Sequence, residues 1–452
     1  MLTIHGYQRI KDSSELALKK ALTVRPFSIV KPQFQPKYPV YHEDKKYLYL
    51  PKHFGIERYG AVPSQRDVPE TPEIHWTFAG SIRPAQLPVV NSFLFPEPHD
   101  GIISLHTGGG KTVCALYIAS RLRVPTLVII HNSFLRDQWI DRVKAFLPNA
   151  RIGRVQADVC DVADKDIVIV MLQTLSMKEL NVDLFKPIGL VIVDECHHIA
   201  SEVFVQALPK VTSKYMLGLS ATPDRKDKLM YAIHWFLGPL LYKSETGDSV
   251  DTKVNVEVYE YQNDDPVFNE IVTSSQGMVS VPIMVNKLTA CEDRTAWLCR
   301  IIEDVMDTDR QMLVLSDRVQ HCEDLLAGLT PELQEKACIL STAVKSDVRT
   351  EYCKSKAILI ATYSMCREGF DVPTLNTLLM ATPRPDIDQI VGRILRVEKK
   401  GRVVHPLIVD IVDPQFRRQF GQRNSLYKKR EYRVTKMALP SSSTQTAAEG
   451  ED

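Results

Sequence analysis

Residues 190–198 read LVIVDECHH, and they indicate the class of fold. Their first four residues, Leu190–Val193, form a continuous apolar run that is typical of a strand buried on both faces of a parallel sheet. Such a strand presents the residues after it at the carboxyl edge of the sheet, where α/β proteins bind ligands. The adjacent carboxylates Asp194 and Glu195 therefore predict a cation at that edge, and hydrated Mg²⁺ suits them. Taken alone, the nine residues are equally consistent with an Asp–Glu pair solvated in a loop.

A second apolar strand that leads into candidate ligand-binding residues begins at residue 102. Strand Ile102–Leu105 leads into HTGGGKT, residues 106–112, and an apolar helix follows. Three glycines allow the N–H groups of the loop to converge on one anion, with the helix N-terminus behind them. Leu105 replaces the first glycine of the general P-loop, so a glycine-rich turn without a ligand is the alternative. The residues predicted to bind the phosphates are His106, Thr107, Gly108, Gly109, Gly110, Lys111 and Thr112.

The two elements together predict ATP hydrolysis. Asp194 and the Thr112 hydroxyl would hold Mg²⁺, and Lys111 would neutralise the β- and γ-phosphates. Glu195 would polarise the water that attacks the γ-phosphate. Phosphoryl transfer needs mainly positioning and charge neutralisation, which these groups would supply. A small-molecule kinase is the competing interpretation, and a second α/β unit in the chain disfavours it.

Length and composition describe a globular protein of several units. The chain has 452 residues, 44% of them hydrophobic and 25% charged, with a formal net charge of +1. A polyanion would therefore be bound by local basic patches and not by a global field. None of the apolar runs approaches the ~20 residues of a membrane span, and the nine cysteines form no CxxC pair. We expect a soluble intracellular protein of a reducing compartment, in the cytoplasm or nucleus, or virion-associated if viral.

Strands and helical segments alternate in two tandem blocks, which predicts two parallel sheets with right-handed crossovers. The predicted domains are a partly β accessory region over 1–80, α/β domains over 81–245 and 246–436, and a disordered tail over 437–452. The alternation fades over about 245–295. The predicted strands are Ile102–Leu105, Thr126–Ile130, Ile167–Met171, Leu190–Val193, Tyr215–Leu219, Met312–Leu315, Ala337–Leu340, Ala357–Ala361, Thr377–Met380 and Leu407–Val412. Helices are predicted over Thr112–Arg123 and Phe134–Leu147, each followed by a proline.

Four motifs occur in an order that resembles superfamily 2 helicases: GGGKT at 108–112, DECH at 194–197, SAT at 220–222 and QIVGRILR at 389–396. The strings VDECHH and LGLSATPDRKD are similar to one subgroup of that family. It contains the transcription/repair translocase of the general transcription factor complex and the helicases of large DNA viruses. The resemblance covers roughly residues 81–412. It implies an α/β fold with two tandem RecA-like domains, ATP in the cleft between them and nucleic acid across both.

The resemblance also assigns catalytic residues in the second domain. Gln389, Arg393 and Arg396 have spacings that place them on one face of a helix. The two arginines are expected to reach the γ-phosphate as arginine fingers. An ordinary solvated face of a surface helix is the alternative. Gly369 and Asp371 correspond to a second-domain motif that touches the nucleotide.

Further nucleotide and coupling roles follow from the same resemblance. Arg83 and Gln86 correspond to the family's adenine-reading element, although Ala85 stands where an aromatic residue is usual. His197 corresponds to the histidine that links the carboxylates to the coupling turn. The coupling residues in that turn are Ser220 and Thr222.

Short polar side chains after strands are expected to contact nucleic-acid phosphates without reading base sequence. Asn132 and Ser133 follow a predicted strand in HNSFLRDQW, at the place of the family's motif Ia. The other positions with this expected role are Gln173, Thr174 and Thr362. Arg225, also expected to act on the nucleic acid, begins Arg225-Lys226-Asp227, where the subgroup has an Arg-Glu-Asp triplet linked to DNA unwinding. Two further segments each allow two interpretations. The basic segment 417–436 either binds phosphates or forms a solvated helix, and the N-terminal aromatic residues either stack on bases or form a core.

The resemblance implies an ATP-dependent translocase or helicase with ATP and Mg²⁺ as cofactors. Its partner would be nucleic acid, with DNA favoured over RNA and a 3′–5′ polarity, and transcription or repair machinery is a further implied partner. One alternative is an ATP-dependent RNA helicase or RNP remodeller. An alternative of another class is a non-processive, ATP-gated nucleic-acid clamp.

Overall fold

The computed structural model describes most of the chain. The described residues are 2–3, 5–25, 37–60, 73–106, 108–198, 206–221, 229–244, 254–273, 279–306, 310–341, 344, 346–367, 372, 374–392, 394 and 404–437. They belong to two compact units, Met1–Thr246 and Gly247–Asp452. Each unit contains one large sheet made mostly or entirely of parallel strands.

The first unit begins with small antiparallel sheets. Their strands are β1 (Leu2–Thr3), β2 (Gly6–Ile10), β3 (Thr23–Val24), β4 (Tyr38–Pro39), β5 (His42–Glu43) and β6 (Tyr47–Leu50), accompanied by helices α1 (Glu15–Ala21) and α2 (Lys52–Tyr59). The strand order is β1-β2-β6-β5 in one sheet, and β3 pairs with β4. Tyr7 and Leu18 belong to the same buried cluster as Ile102 and Leu127 of the large sheet. The N-terminal region therefore shares a hydrophobic core with the rest of the unit.

A buried ion pair also joins this region to the large sheet. Lys52 Nζ, at the start of α2, lies 2.5 Å from Asp100 Oδ2, and the two side chains are 7% and 5% exposed. The same ammonium donates to the backbone oxygens of Ser213 and Lys214 at 3.1 and 2.8 Å. Because buried charges are costly unless they are paired, this contact requires α2 to stay docked.

The large sheet of the first unit has the strand order β10-β9-β11-β8-β12-β13-β7-β14 within the described residues. Its strands are β7 (Gly101–Ser104), β8 (Thr126–Ile130), β9 (Ile152–Gln156), β10 (Val159–Asp161), β11 (Ile167–Met171), β12 (Leu190–Val193), β13 (Tyr215–Ser220) and β14 (Leu240–Lys243). Only the edge pair β9–β10 is antiparallel. The helices are α3 (Leu87–Leu94), α4 (Lys111–Leu122), α5 (Ser133–Phe146), α6 (Leu172–Met177) and α7 (Met230–Leu237). The four residues of β12 are completely buried, as expected for a central parallel strand.

The second unit contains a parallel sheet with the order β17-β18-β16-β19-β20-β15-β21. Its strands are β15 (Asn255–Glu260), β16 (Met312–Ser316), β17 (Ala337–Leu340), β18 (Ile358–Thr362), β19 (Thr377–Met380), β20 (Leu407–Val412) and β21 (Arg433–Met437). The helices are α8 (Pro266–Asn269), α9 (Val281–Thr289), α10 (Glu292–Val305), α11 (Val319–Gly328), α12 (Pro331–Lys336), α13 (Ser346–Ser355), α14 (Tyr363–Arg367), α15 (Asp388–Val391) and α16 (Arg417–Lys429).

The predicted architecture of two tandem parallel sheets is confirmed. Each predicted strand and helix occurs, to within one residue at each end. Residues 245–295, where the alternation fades, supply the additional strand β15, which pairs with β20. Segment 417–436 forms α16 and most of β21. The predicted tail begins with Met437, which ends β21, and its remaining residues, 438–452, lie outside the described residues. Among the described helices, none is long and apolar enough to cross a membrane.

Candidate active site

Three neighbouring strands of the first unit bring the predicted nucleotide residues to one edge of the sheet. Strands β12, β13 and β7 are adjacent and parallel, so their carboxyl ends lie side by side. Lys111 follows β7, Asp194 follows β12, and Ser220 ends β13. Leu105 N donates to Ser220 O at 3.0 Å. The residue before the glycine loop therefore contacts the first residue of the predicted coupling turn.

The glycine loop requires glycine at two positions. Gly108 and Gly110 have φ values of 87° and 86°, in the left-handed region that side chains disfavour. A Cβ at Gly110 would also lie 2.2 Å from Gln86 Nε2. Helix α4, with 12 residues, begins directly after Gly110. Its first N–H groups have no partner within the helix and point toward the loop, which is the arrangement that binds phosphate.

The predicted adenine-reading pair supports this loop. Gln86 is 4% exposed, its Nε2 donates to Gly109 O at 3.1 Å, and its Oε1 accepts from Arg83 N at 3.1 Å. Arg83 Nη2 lies 3.4 Å from the same Gly109 oxygen. Gln86 thus uses both ends of its amide to hold the loop, while the exposed Arg83 guanidinium has further donors to offer a ligand.

A chain of polar contacts crosses the sheet edge. Lys111 Nζ donates to Glu195 Oε1 at 2.6 Å. Glu195 Oε2 lies 3.3 Å from His197 Nδ1, and this nitrogen lies 3.0 Å from Ser220 Oγ. Glu195 has a φ of 48°, a costly conformation for a non-glycine residue that is found where function demands it. The contacts link the residue that follows the glycine loop, the two carboxylates and the first residue of the predicted coupling turn.

Asp194 is buried and held at both carboxylate oxygens. Oδ1 accepts from Glu195 N at 2.9 Å, and Oδ2 accepts from Trp139 Nε1 at 2.8 Å. Burial, and then the negative charge of Glu195, raise the pKa of Asp194, so a nearby cation would favour the ionised form.

These residues fit a magnesium ion held through water and phosphates. Each Asp194 oxygen keeps a second lone pair for a metal-bound water, and Thr112 lies in the first turn of α4. The described residues contain no cluster of three His, Cys, Asp or Glu side chains that could hold a metal by themselves. Mg²⁺ retains several waters and binds few protein ligands, so Asp194 and Thr112 together with phosphates would suffice to hold it.

Comparison with known proteins identifies the family. Residues 80–225 match the family model described as the type III restriction enzyme, res subunit. A protein of Acanthamoeba polyphaga mimivirus, provisionally named an ATP-dependent RNA helicase, is 31% identical over 447 residues, which are 96% of this chain and 85% of the relative. The chain belongs to the superfamily 2 helicases of large DNA viruses. This helicase is therefore an ATP-dependent enzyme that acts on nucleic acid.

Other matches agree with this family. An African swine fever virus protein, also provisionally named an ATP-dependent RNA helicase, is 28% identical over 74% of the helicase and 69% of its own length. A solved structure of a yeast Dbp5 variant, bound to RNA and ADP BeF3, has a TM-score of 0.53 and 13% identity, covering 78% of this chain and 89% of that one. At this identity the likeness shows the fold alone, and it agrees with two RecA-like domains.

Two pairs of residues that are predicted to contact nucleic acid lie near each other. Asn132 and Ser133 follow β8, and Gln173 and Thr174 follow β11, its parallel neighbour. Asn132 caps α5 with its side-chain oxygen, and Gln173 Nε2 donates to His131 O at 2.9 Å. Ser133 and Gln173 are exposed, and Thr174 is half-buried. The structure thus gathers these polar side chains at a second stretch of the same sheet edge, and their role in binding stays a prediction.

The predicted site residues of the second unit are only partly described. Thr362 ends β18, and its hydroxyl is 2.9 Å from Ser364 Oγ. The backbone of Gln389 lies in α15. The predicted residues outside the described ranges are Thr107, Thr222, Arg225, Gly369, Asp371, Arg393 and Arg396. Their roles remain predictions.

Trp139 lies in this site although its sequence pattern gives no sign of it. It follows Leu135 and precedes Val143 by four residues each, and all three are buried. This spacing predicts the core stripe of an amphipathic helix, so nothing in the sequence separates Trp139 from ordinary packing. Its partner Asp194 lies 55 residues further along the chain, so only the fold shows the contact.

Proposed function

We propose that this helicase is a translocase that hydrolyses Mg²⁺-ATP, moves 3′ to 5′ along DNA and separates duplexes. The observation that carries the proposal is the chain of contacts from Lys111 through Glu195 and His197 to Ser220. A motor needs its nucleotide site to affect its strand site, and these contacts connect the phosphate loop to the predicted coupling turn. DNA is favoured because the motif strings resemble the transcription and repair subgroup, whose machinery is the proposed partner.

The residues of the site suit particular steps of hydrolysis. The amides of the glycine loop and the first turn of α4 would bind the phosphates. Lys111 would exchange its bond to Glu195 for one to the phosphates, which frees Glu195 to accept a proton from the attacking water. When bound, Mg²⁺ would neutralise phosphate charge, held by Asp194 and Thr112. His197 would transmit the change at Glu195 to Ser220. Arg393 and Arg396 keep their predicted role at the γ-phosphate, and Gln389 keeps its predicted catalytic role with them.

An RNA helicase is the second candidate. The relatives from mimivirus and African swine fever virus are both named as ATP-dependent RNA helicases. Polar contacts to phosphates, such as those expected of Asn132 and Gln173, hold either backbone and carry no base sequence information. A clamp that binds and releases without moving would use the same residues.

The test compares substrates and then directions. Stimulation of ATP hydrolysis by single-stranded DNA, duplex DNA and RNA distinguishes the substrates. Unwinding of duplexes with a 3′ or a 5′ tail tests the motor and its polarity. We expect the largest stimulation with DNA and strand displacement from a 3′ tail. Stimulated hydrolysis without displacement from either tail would contradict the motor and favour the clamp.

The phosphate-site assignment has its own control. Lys111→Ala should abolish turnover, since the phosphates lose their main counter-charge, and circular dichroism should show an intact fold. Lys144→Ala changes an exposed lysine of α5 in the same unit and should leave turnover unchanged. Activity in the Lys111→Ala protein would show that the assignment is wrong.

A further inference from the structure

Helix α5 begins at the candidate nucleic-acid residues of the first unit. Asn132 caps the helix by accepting a hydrogen bond from Leu135 N at 2.8 Å, and Ser133 is exposed in its first turn. The N-terminus of a helix carries a partial positive charge and free N–H groups. The strand contact predicted for Asn132 and Ser133 would therefore lie at this end of α5.

About two turns further along, the same helix contacts the ATP site. Trp139 is 1% exposed, and its Nε1 donates to Asp194 Oδ2 at 2.8 Å. The indole N–H can only donate, and its acceptor is a carboxylate with 4% exposure. A hydrogen bond to a charged acceptor is stronger than a neutral one, and the low local dielectric strengthens it further. One helix thus carries the candidate strand contact at one end and a bond to Asp194 in its middle.

The two described hydrogen bonds to Asp194 come from different parts of the fold, and the bond from Trp139 comes from helix α5. The bond on Oδ1 comes from Glu195 N, in the same turn after β12, so it moves together with Asp194. The bond on Oδ2 comes from α5, so a small shift of α5 would turn the carboxylate. The interior is close-packed, and such a shift cannot be absorbed by empty space.

We propose that Trp139 is a positioning residue that couples strand binding at the N-terminus of α5 to the orientation of Asp194, and through it to ATP hydrolysis. The inference rests on the proposed function, because it assumes that a strand binds beside Asn132. It adds a direct link from the strand site to Asp194, separate from the contacts of His197 and Ser220.

The test removes the N–H and keeps an aromatic ring. In the full chain, Trp139→Phe and wild type are compared for the Kd of a fluorescent oligonucleotide, with and without the ATP analogue AMP-PNP and Mg²⁺. We expect the Kd without nucleotide to stay within about twofold. The ratio of the two Kd values should fall toward one, by roughly tenfold, which is a typical size for coupling between sites. The ratio of stimulated to basal hydrolysis should fall in parallel.

A matched variant separates coupling from packing. Trp297→Phe changes another buried tryptophan, in the second unit, and should keep both ratios at their wild-type values. Subtracting the tryptophan fluorescence of Trp139→Phe from that of wild type gives the emission of Trp139. Adding oligonucleotide without nucleotide should change this emission. If Trp139→Phe melts well below Trp297→Phe, then Trp139→Leu, which also lacks a side-chain hydrogen-bond donor, replaces it.

The outcomes distinguish the inference from the function beneath it. If the wild-type protein neither binds oligonucleotide nor hydrolyses ATP faster in its presence, both the proposed function and the coupling role of Trp139 are wrong. A wild type with coupling, beside a Trp139→Phe protein that keeps both ratios, leaves the function standing and overturns the role of Trp139. An equal loss of basal and stimulated hydrolysis, with the ratios preserved, also overturns it, because that is the effect of packing alone.

Discussion

Gly110 combines a backbone conformation and a contact that both exclude a side chain. Its φ is 86°, and an added Cβ would meet Gln86 Nε2 at 2.2 Å. The left-handed region costs a residue with a Cβ about 1–2 kcal/mol, and Gln86 would have to release Gly109. We expect Gly110→Ala to weaken ATP binding by roughly tenfold or more, since each 1.4 kcal/mol is a factor of about ten. Titration with a fluorescent ATP analogue measures this.

The chain offers a matched glycine for comparison. Gly421 lies within α16, and nothing lies within 4 Å of a Cβ added there. Alanine is favoured over glycine in helices by about 0.5–1 kcal/mol, so Gly421→Ala should raise the melting temperature of the protein slightly and leave ATP binding unchanged. A Gly110→Ala protein with wild-type ATP affinity would show that the loop does not need its present shape.

Helix α16 shows how an element can use a charge for stability and not for binding. Arg423 and Asp410 form an ion pair of 2.7 Å, and their side chains are 1% and 0% exposed. Tyr427 donates to the other Asp410 oxygen at 2.7 Å. Two residues of the basic segment thus attach α16 to β20. The exposed lysines and arginines of the segment keep phosphate binding as an open prediction.

Loss of Arg423 should destabilise the second unit strongly. Arg423→Ala leaves Asp410 buried without its counter-charge, and breaking such a pair costs about 3–5 kcal/mol. Urea denaturation followed by circular dichroism measures the loss. Arg417→Ala, an exposed arginine of the same helix, should change the free energy of unfolding by less than about 0.5 kcal/mol. Equal effects of the two substitutions would contradict the structural role of Arg423.

Across the whole molecule, the sequence predicts what depends on local pattern and misses what depends on distant partners. The strands buried on both faces were predictable because their residues form unbroken apolar runs. Strand β14 was missed because its four residues, LLYK, are too few and too exposed to form a pattern. The placement of the glycine loop and of the two carboxylates at one sheet edge was predictable, because each directly follows an apolar strand; their roles stay predictions. The contact of Trp139 with Asp194, and that of Lys52 with Asp100, were not, because each joins residues far apart in the chain.

The ion pair of Lys52 and Asp100 gives the first unit a dependence on pH. Burial alone would raise the pKa of Asp100, but Lys52 and His53 outweigh it and hold the pKa below its ordinary value of 3.8. The unfolded chain therefore takes up a proton at this carboxyl before the folded protein does. The stabilisation is fully present above a pH of about 4–5 and is lost as the pH falls through the folded-state pKa.

Asp100→Asn tests whether this pair holds the N-terminal region to the large sheet. The substitution leaves Lys52 buried without its counter-charge, so we expect the free energy of unfolding at neutral pH to fall by about 3–5 kcal/mol. The decline of stability in acid should also become shallower, because the carboxyl that gained a proton there is gone. Urea denaturation at a series of pH values measures both effects, with Asp161→Asn, whose side chain is 48% exposed, as the control. If Asp100→Asn matched that control at neutral pH, the attachment of the N-terminal region would not depend on this ion pair.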